Sequence, residues 1–246
     1  MNESIFYYSE VNDWGEVVYY PTGSGVALLL FLIFAVIALA LVMSAIEGKK
    51  AAGIDSADPD ARIPLPANPL KMSAKQLTFC AVCIALGMVL SEIKLYHFPT
   101  GGSITLVSML MVTLPGYLFG PGAGLFSAVG YGLLQLLIDP YVLYPGQLVL
   151  DYILAFGLLG LSGFFWLKKY GLIKGYLVGV TGRFLMSFLS GWIFFGAYAW
   201  DGWSPWAYSL VYNAIYIYAE ALLTIVILAL PPVRNAIRAV RNFAHN

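Results

Sequence analysis

Long apolar runs separated by short polar breaks organise this chain. The first run is Val26 to Ile46. After a polar stretch from Glu47 to Lys75, six more follow: Gln76 to Lys94, Ile104 to Phe119, Gly122 to Ile138, Gln147 to Leu167, Leu172 to Tyr198, and Ala207 to Leu230. Several reach the roughly 20 residues that a helix needs to cross a bilayer. Gly120-Pro121, Asp139-Pro140 and Pro145-Gly146 punctuate them, as turn-forming pairs do. The pattern predicts an all-α integral membrane protein with seven spans. One extra N-terminal helix, with the acidic, aromatic segment before it, occupies residues 1–47. A Pro-rich linker covers 48–75, a six-helix unit 76–233, and a basic tail 234–246. The first run is too long for a signal-peptide core and has no basic region before it. The runs at 104–119 and 122–138 are short and Gly-rich, which suits burial inside the bundle better than full lipid exposure.

Composition agrees. The chain is 60% hydrophobic and 11% charged, against roughly half and a quarter in soluble domains. Formal net charge is zero, so there is no basic footprint for nucleic acid. Lys49, Lys50, Arg62, Lys71 and Lys75 precede the second span, Lys168, Lys169 and Lys174 the sixth, and Arg234, Arg238 and Arg241 follow the last. With seven spans all three groups fall on one side, which the positive-inside rule makes cytoplasmic. The expectation is a multi-pass protein of the cell membrane, N-terminus outside and C-terminus in the cytoplasm.

Three ionisable residues fall well inside spans, away from their ends, where they are expensive and often functional: Asp151, Arg183 and Glu220. In one reading Arg183 pairs with an acid and ties the bundle together. In the other Asp151 faces a cavity open to the outside, ringed by Tyr131, Tyr141, Tyr144 and Tyr152, an arrangement that captures a flat organic cation. Ser187, Gly191 and Trp192 follow Arg183 along its helix. Asn213 reads equally as a helix-to-helix hydrogen bond or a ligand contact. Gly196 to Asn213 is crowded with aromatics and broken at Asp201-Gly202 and Ser204-Pro205. It reads as an interfacial belt or as the cover of a binding site, with its DGWSP centre a mobile loop.

Ala74, Thr78, Ala81 and Ala85 form one small-residue face of the second span, fit for an internal helix contact or for docking another membrane subunit. Cys80 and Cys83 sit in the same apolar run with no His cluster or second Cys pair, and read as packing residues; no metal site is expected. The chain has no P-loop, and none of the sequence patterns of zinc hydrolases or nucleophile elbows. Neither catalysis nor a cofactor is expected.

From Gln76 onward the chain resembles the substrate-binding S components of energy-coupling factor vitamin transporters, in their thiamine-type, ThiT-like branch. Four stretches carry the resemblance over about 170 residues: Ala81-Val82-Cys83-Ile84-Ala85 as A-x-x-x-A, Gly101 to Leu106, Gln147 to Phe156 as Q-x-x-x-[DE]-Y-x-x-A, and Gly191 to Asn213. It implies a six-helix bundle that binds thiamine from outside and docks through Ala81 and Ala85 on a transmembrane coupling subunit. That subunit is driven by two separate ATPase chains, so the missing P-loop fits. The resemblance puts Asp151, Tyr152, Tyr131, Tyr141, Phe195, Tyr208 and Asn213 around the vitamin, with Ser187, Gly191 and Trp192 on the helix of Phe195. Asp151 stands where Glu is common, and Phe195 and Tyr131 stand where Trp occurs. Other readings are an S component for a different small heterocycle, or a polytopic scaffold with interfacial aromatics and no transported ligand.

Overall fold

The computed structural model describes residues 7–11, 17–24, 27, 72–98 and 101–245. The expected N-terminal span and its Pro-rich linker lie outside the described residues.

Six apolar helices form the bundle: α1 (Ala74–Glu92), α2 (Ser108–Phe119), α3 (Pro121–Ile138), α4 (Pro145–Phe165), α5 (Gly171–Phe194) and α6 (Pro205–Ala229). All but α2 are long and apolar enough to cross a membrane. The all-α membrane architecture is the one expected from the hydropathy pattern. A seventh helix, α7 (Pro231–His245), follows α6 directly. Two small antiparallel hairpins accompany the helices. β1 (Tyr7–Val11) pairs with β2 (Val17–Pro21), and β3 (Lys94–His97) with β4 (Ser103–Thr105).

Each helix starts and stops for a local reason. Ser73 caps α1 and forms a reciprocal capping box with Gln76. Pro begins α3, α4, α6 and α7, where its missing N–H costs nothing. With 12 residues, α2 rises only about 18 Å, and ten of the twelve are buried. It is an internal helix, as its length and glycine content led one to expect.

The core lies where α2 packs among α1, α3, α4, α5 and α6, around Met109, Val112, Tyr131, Leu159, Val180 and Ile217. Close approach depends on missing side chains. At Gly163 in α4 a Cβ would collide with the Pro121 backbone at the start of α3. Cys80 and Cys83 are buried packing residues, Cys80 among Leu118, Phe119 and Ala123, and Cys83 in the main core.

Several boundaries differ from the hydropathy reading. Residues 103–105 belong to a strand rather than the start of a helix, because the Gly101-Gly102 turn folds them back against β3. Tyr96, His97 and Ser103, which lie between two apolar runs in the sequence, pair in that hairpin. The basic tail is a helix, whose Val233 and Ile237 pack against the core while Arg241 donates to the Tyr117 hydroxyl and stacks on its ring. This α7 closes the end of the bundle that carries Lys75, Lys168, Lys169 and Lys174. The opposite end is open.

Candidate functional site

At the open end a cavity of about 400 Å³ runs into the bundle, within the range of small-molecule sites. Its walls come from the β3–β4 hairpin, the turn after α3, and α3 to α6.

The α4 wall is irregular. Residues Val149–Leu154 form a π-helical stretch, and Leu158–Phe165 tighten to a 3₁₀ helix. Such π segments often sit at functional sites because they re-aim side chains. Here the π stretch carries Asp151 and Tyr152. Asp151 lines the cavity and accepts a hydrogen bond from Ser190 Oγ at 2.8 Å. The Tyr152 hydroxyl accepts from Tyr141 N at 2.7 Å and donates to the Asp139 carbonyl at 3.1 Å. Gln147, one turn earlier and 1% exposed, donates to the Tyr141 carbonyl at 2.7 Å and accepts from Leu143 N at 2.8 Å. Gln147 and Tyr152 therefore build the turn at 139–144, while Asp151 between them faces the cavity. That turn lays Tyr141 on Phe195, with ring centroids 6.0 Å apart and planes 16° from parallel. Burial and the hydroxyls of Tyr198, Tyr212 and Tyr208 push the Tyr141 phenol up to about 12, so it stays a neutral donor at any working pH.

Arg183, Ser187 and Gly191 on α5 and Phe195 at its C-cap line the cavity at four-residue spacing, continuing one stripe of the helix. The Arg183 guanidinium lies 4.5 Å from the centre of the Phe156 ring. Among the described residues no carboxylate comes within 4.0 Å of it, so the ion pair considered from the sequence does not form. At Gly191 a Cβ would strike Ser209 Oγ, so this glycine lets α6 close in. Tyr131 on α3 receives a 2.6 Å hydrogen bond from Gln135 Nε2, which also reaches Ser91. On α6, Asn213 donates to Ser209 within its own helix and accepts from the Tyr216 hydroxyl at 2.8 Å, rather than bridging two helices.

Nine of the ten residues expected to bind ligand meet on this cavity: Asp151, Tyr152, Tyr131, Tyr141, Ser187, Gly191, Phe195, Tyr208 and Asn213. Trp192 does not line it. One residue past Gly191 it is turned about 100° around the helix, and it stacks on Phe188 at 5.9 Å. Tyr144 is likewise off the cavity, stacked on Phe194. Trp200, Trp203 and Trp206 are exposed and outside the lining, as the interfacial reading of that loop has it. Sequence reasoning left Arg183, Tyr212 and Tyr216 out of the site, although the spacing of Arg183 to Ser187 was a usable signal. Ala81 and Ala85 are exposed on the outer face of α1, as are Ala74 and Thr78, so this stripe is no internal contact among the described residues.

An apolar helical bundle entered from one end by an aromatic cavity, with an acid and a cation set in its wall, defines a multi-pass membrane protein built to hold a small polar molecule. The family of the thiamine transporter protein (Thia_YuaJ) matches residues 77–239, and the chain belongs to that family. It is 32% identical to the thiamine transporter ThiT of Bacillus subtilis over 161 residues, 60% of this chain and 80% of the relative. It is 30% identical over 114 residues to ThiT of Lacticaseibacillus paracasei, covering 39% of this chain and 57% of that one. The solved structure of ThiT from Listeria monocytogenes superposes with a TM-score of 0.54 at 27% identity, over 64% of this chain and 94% of that chain. The ThiT-like resemblance seen in the sequence holds, and these relatives are named as transporters, not enzymes.

Proposed function

We propose that this protein is the thiamine-binding subunit of an uptake transporter, taking the vitamin from outside the cell into the cavity at the open end. Membership of the thiamine transporter family supports this. The observation that carries it is the arrangement of the wall: Asp151 is set among the rings of Tyr131, Tyr141, Tyr152 and Phe195. A carboxylate beside aromatic faces suits a flat cation, since each ring face and the acid attract positive charge. Tyr208 and Asn213 offer hydrogen bonds to the polar edge of the ligand.

The direction follows from the basic residues. Lys168, Lys169, Lys174, Arg234 and Arg238 lie at the closed end, and the positive-inside rule supports a cytoplasmic closed end with the cavity mouth outside. The exposed Ala81 and Ala85 face is the docking surface for a transmembrane coupling subunit, and two separate ATPase chains supply the energy. Ala81→Trp and Ala85→Trp abolish uptake by cells while leaving thiamine binding by the purified protein within twofold. Binding lost together with uptake would mean that this face supports the fold instead.

Tryptophan fluorescence of purified protein titrated with thiamine tests the assignment. Saturable quenching that competing heterocycles reverse only weakly is expected. No change at saturating thiamine would remove thiamine as the ligand, and a stronger response to another heterocycle would rename it.

A further inference from the structure

Glu220 lies midway along α6, 2% exposed, in the cavity lining where the hairpin wall meets α2. Its carboxylate accepts four hydrogen bonds, all from the stretch joining β4 to α2. Thr105 donates through its N–H at 3.2 Å and its hydroxyl at 2.7 Å. Ser108 Oγ and Met109 N donate at 3.1 Å each. This junction needs an acceptor from outside. Val107, the residue before α2, has φ +53°, a left-handed conformation that a β-branched residue rarely takes, and it provides no side-chain cap. In the first turn of α2 the Leu110 N–H reaches the Val107 carbonyl and the Met109 N–H takes Glu220 as its acceptor; a carboxylate is the favoured partner at that helix end.

Glu220 also completes a stripe. Tyr212, Tyr216 and Glu220 recur every four residues on one face of α6. The Tyr212 hydroxyl donates to the Gly101 carbonyl at the hairpin tip. The Tyr216 ring occupies the space beside Gly102, where a Cβ would come within 2.8 Å of it. Glu220 takes the hairpin's base. The hairpin is thus fastened to α6 at both ends, and His97, Gly101, Gly102, Ser103 and Thr105 of this hairpin form one wall of the cavity.

We propose that Glu220 is a positioning residue for ligand retention: its carboxylate fixes the β4–α2 junction, and so keeps the hairpin wall closed against the cavity. This rests on the cavity being the ligand site. The group must be a carboxylate, because the backbone N–H groups of Thr105 and Met109 reach different oxygens and can only donate, so an amide would turn its own N–H groups towards one of them.

Stopped-flow fluorescence with thiamine as the probe, comparing the intact protein with Glu220→Gln and Glu220→Asp, tests the retention role. Glu220→Gln raises the dissociation rate about tenfold and leaves the association rate within twofold. Glu220→Asp, which keeps the charge at shorter reach, falls between the two. Hydrogen exchange of the ligand-free proteins gives a second readout that needs no thiamine: Glu220→Gln speeds exchange at residues 101–109 and leaves α5 unchanged. Unchanged exchange at 101–109 overturns the proposal. So does an unchanged dissociation rate despite faster exchange there, or faster exchange throughout the bundle. A wild-type protein that binds no thiamine defeats the thiamine reading, while exchange at 101–109 still decides whether Glu220 holds the junction.

Discussion

Asp151 and Glu220 are both carboxylates set within apolar helices, and the protein treats them in opposite ways. Glu220 receives four hydrogen bonds from two backbone N–H groups and two hydroxyls. That nearly fills its acceptor capacity. Asp151, on the same cavity, draws on side chains alone: Ser190 donates to it, Gln147 is within hydrogen-bonding reach, and Arg183 is near enough to interact electrostatically. A buried charge is tolerated only when something solvates it. For Glu220 the fold supplies the partners, so its charge stabilises structure. For Asp151 the fold leaves room, so a ligand completes the solvation. An ionisable residue in a span therefore signals function only when its partners are missing from the chain.

Substitutions separate the two roles. The largest effect is on stability at Glu220. Glu220→Ala leaves the N–H groups of Thr105 and Met109 buried without an acceptor, each costing about 1–3 kcal/mol. A fall of about 2–6 kcal/mol follows, read as a lower melting temperature in detergent. Asp151→Ala leaves melting nearly unchanged, because only the side chains of Ser190 and Gln147 lose a partner, beside an open cavity. Equal destabilisation by the two would dissolve the contrast.

Next comes the aromatic loop. Trp200→Phe, Trp203→Phe and Trp206→Phe together leave thiamine affinity within twofold by calorimetry, because these rings are exposed and off the cavity. A loss of tenfold or more would extend the site into the loop. The smallest effect belongs to the ion pair at the mouth, Lys94 Nζ to Asp139 Oδ2 at 3.0 Å, with both side chains partly exposed. Such pairs contribute about 0–1 kcal/mol, so Lys94→Ala shifts melting by a degree or two at most. The Asp139 hydrogen bond raises the Lys94 amine above its ordinary 10.5. A raised amine contributes fully below that ordinary value and loses its contribution as pH rises through the higher, folded-state one. The bridge is therefore constant from neutral to mildly alkaline pH and fades only well above pH 10.

The helices and most of the cavity were legible in the sequence because membrane spans and helical periodicity are local signals. Asp151, Tyr152 and the stripe of Ser187, Gly191 and Phe195 came from spacing and motif alone. Trp192 was misplaced by one residue, and one residue on a helix changes the face. Glu220 was recognised as costly, and as structural only through a pairing with Arg183, since its actual partners Thr105 and Met109 are more than a hundred positions away. The β3–β4 hairpin was hidden because Ile104 and Leu106 look like the start of a helix until the Gly101-Gly102 turn folds the chain back. The π stretch that aims Asp151 has no sequence pattern in 149–154. The segment 234–246 was read only as a basic tail, although Pro231 and Pro232 suit a helix's first turn and Val233, Ile237 and Val240 recur at helical spacing.

The direct test of the central claim is calorimetric titration of thiamine into the wild-type protein and Asp151→Asn side by side. The asparagine keeps the shape and removes the charge. The account predicts saturable binding by both, with Asp151→Asn weaker by more than tenfold, a loss above about 1.4 kcal/mol. Equal affinities would contradict it and take Asp151 out of the binding site.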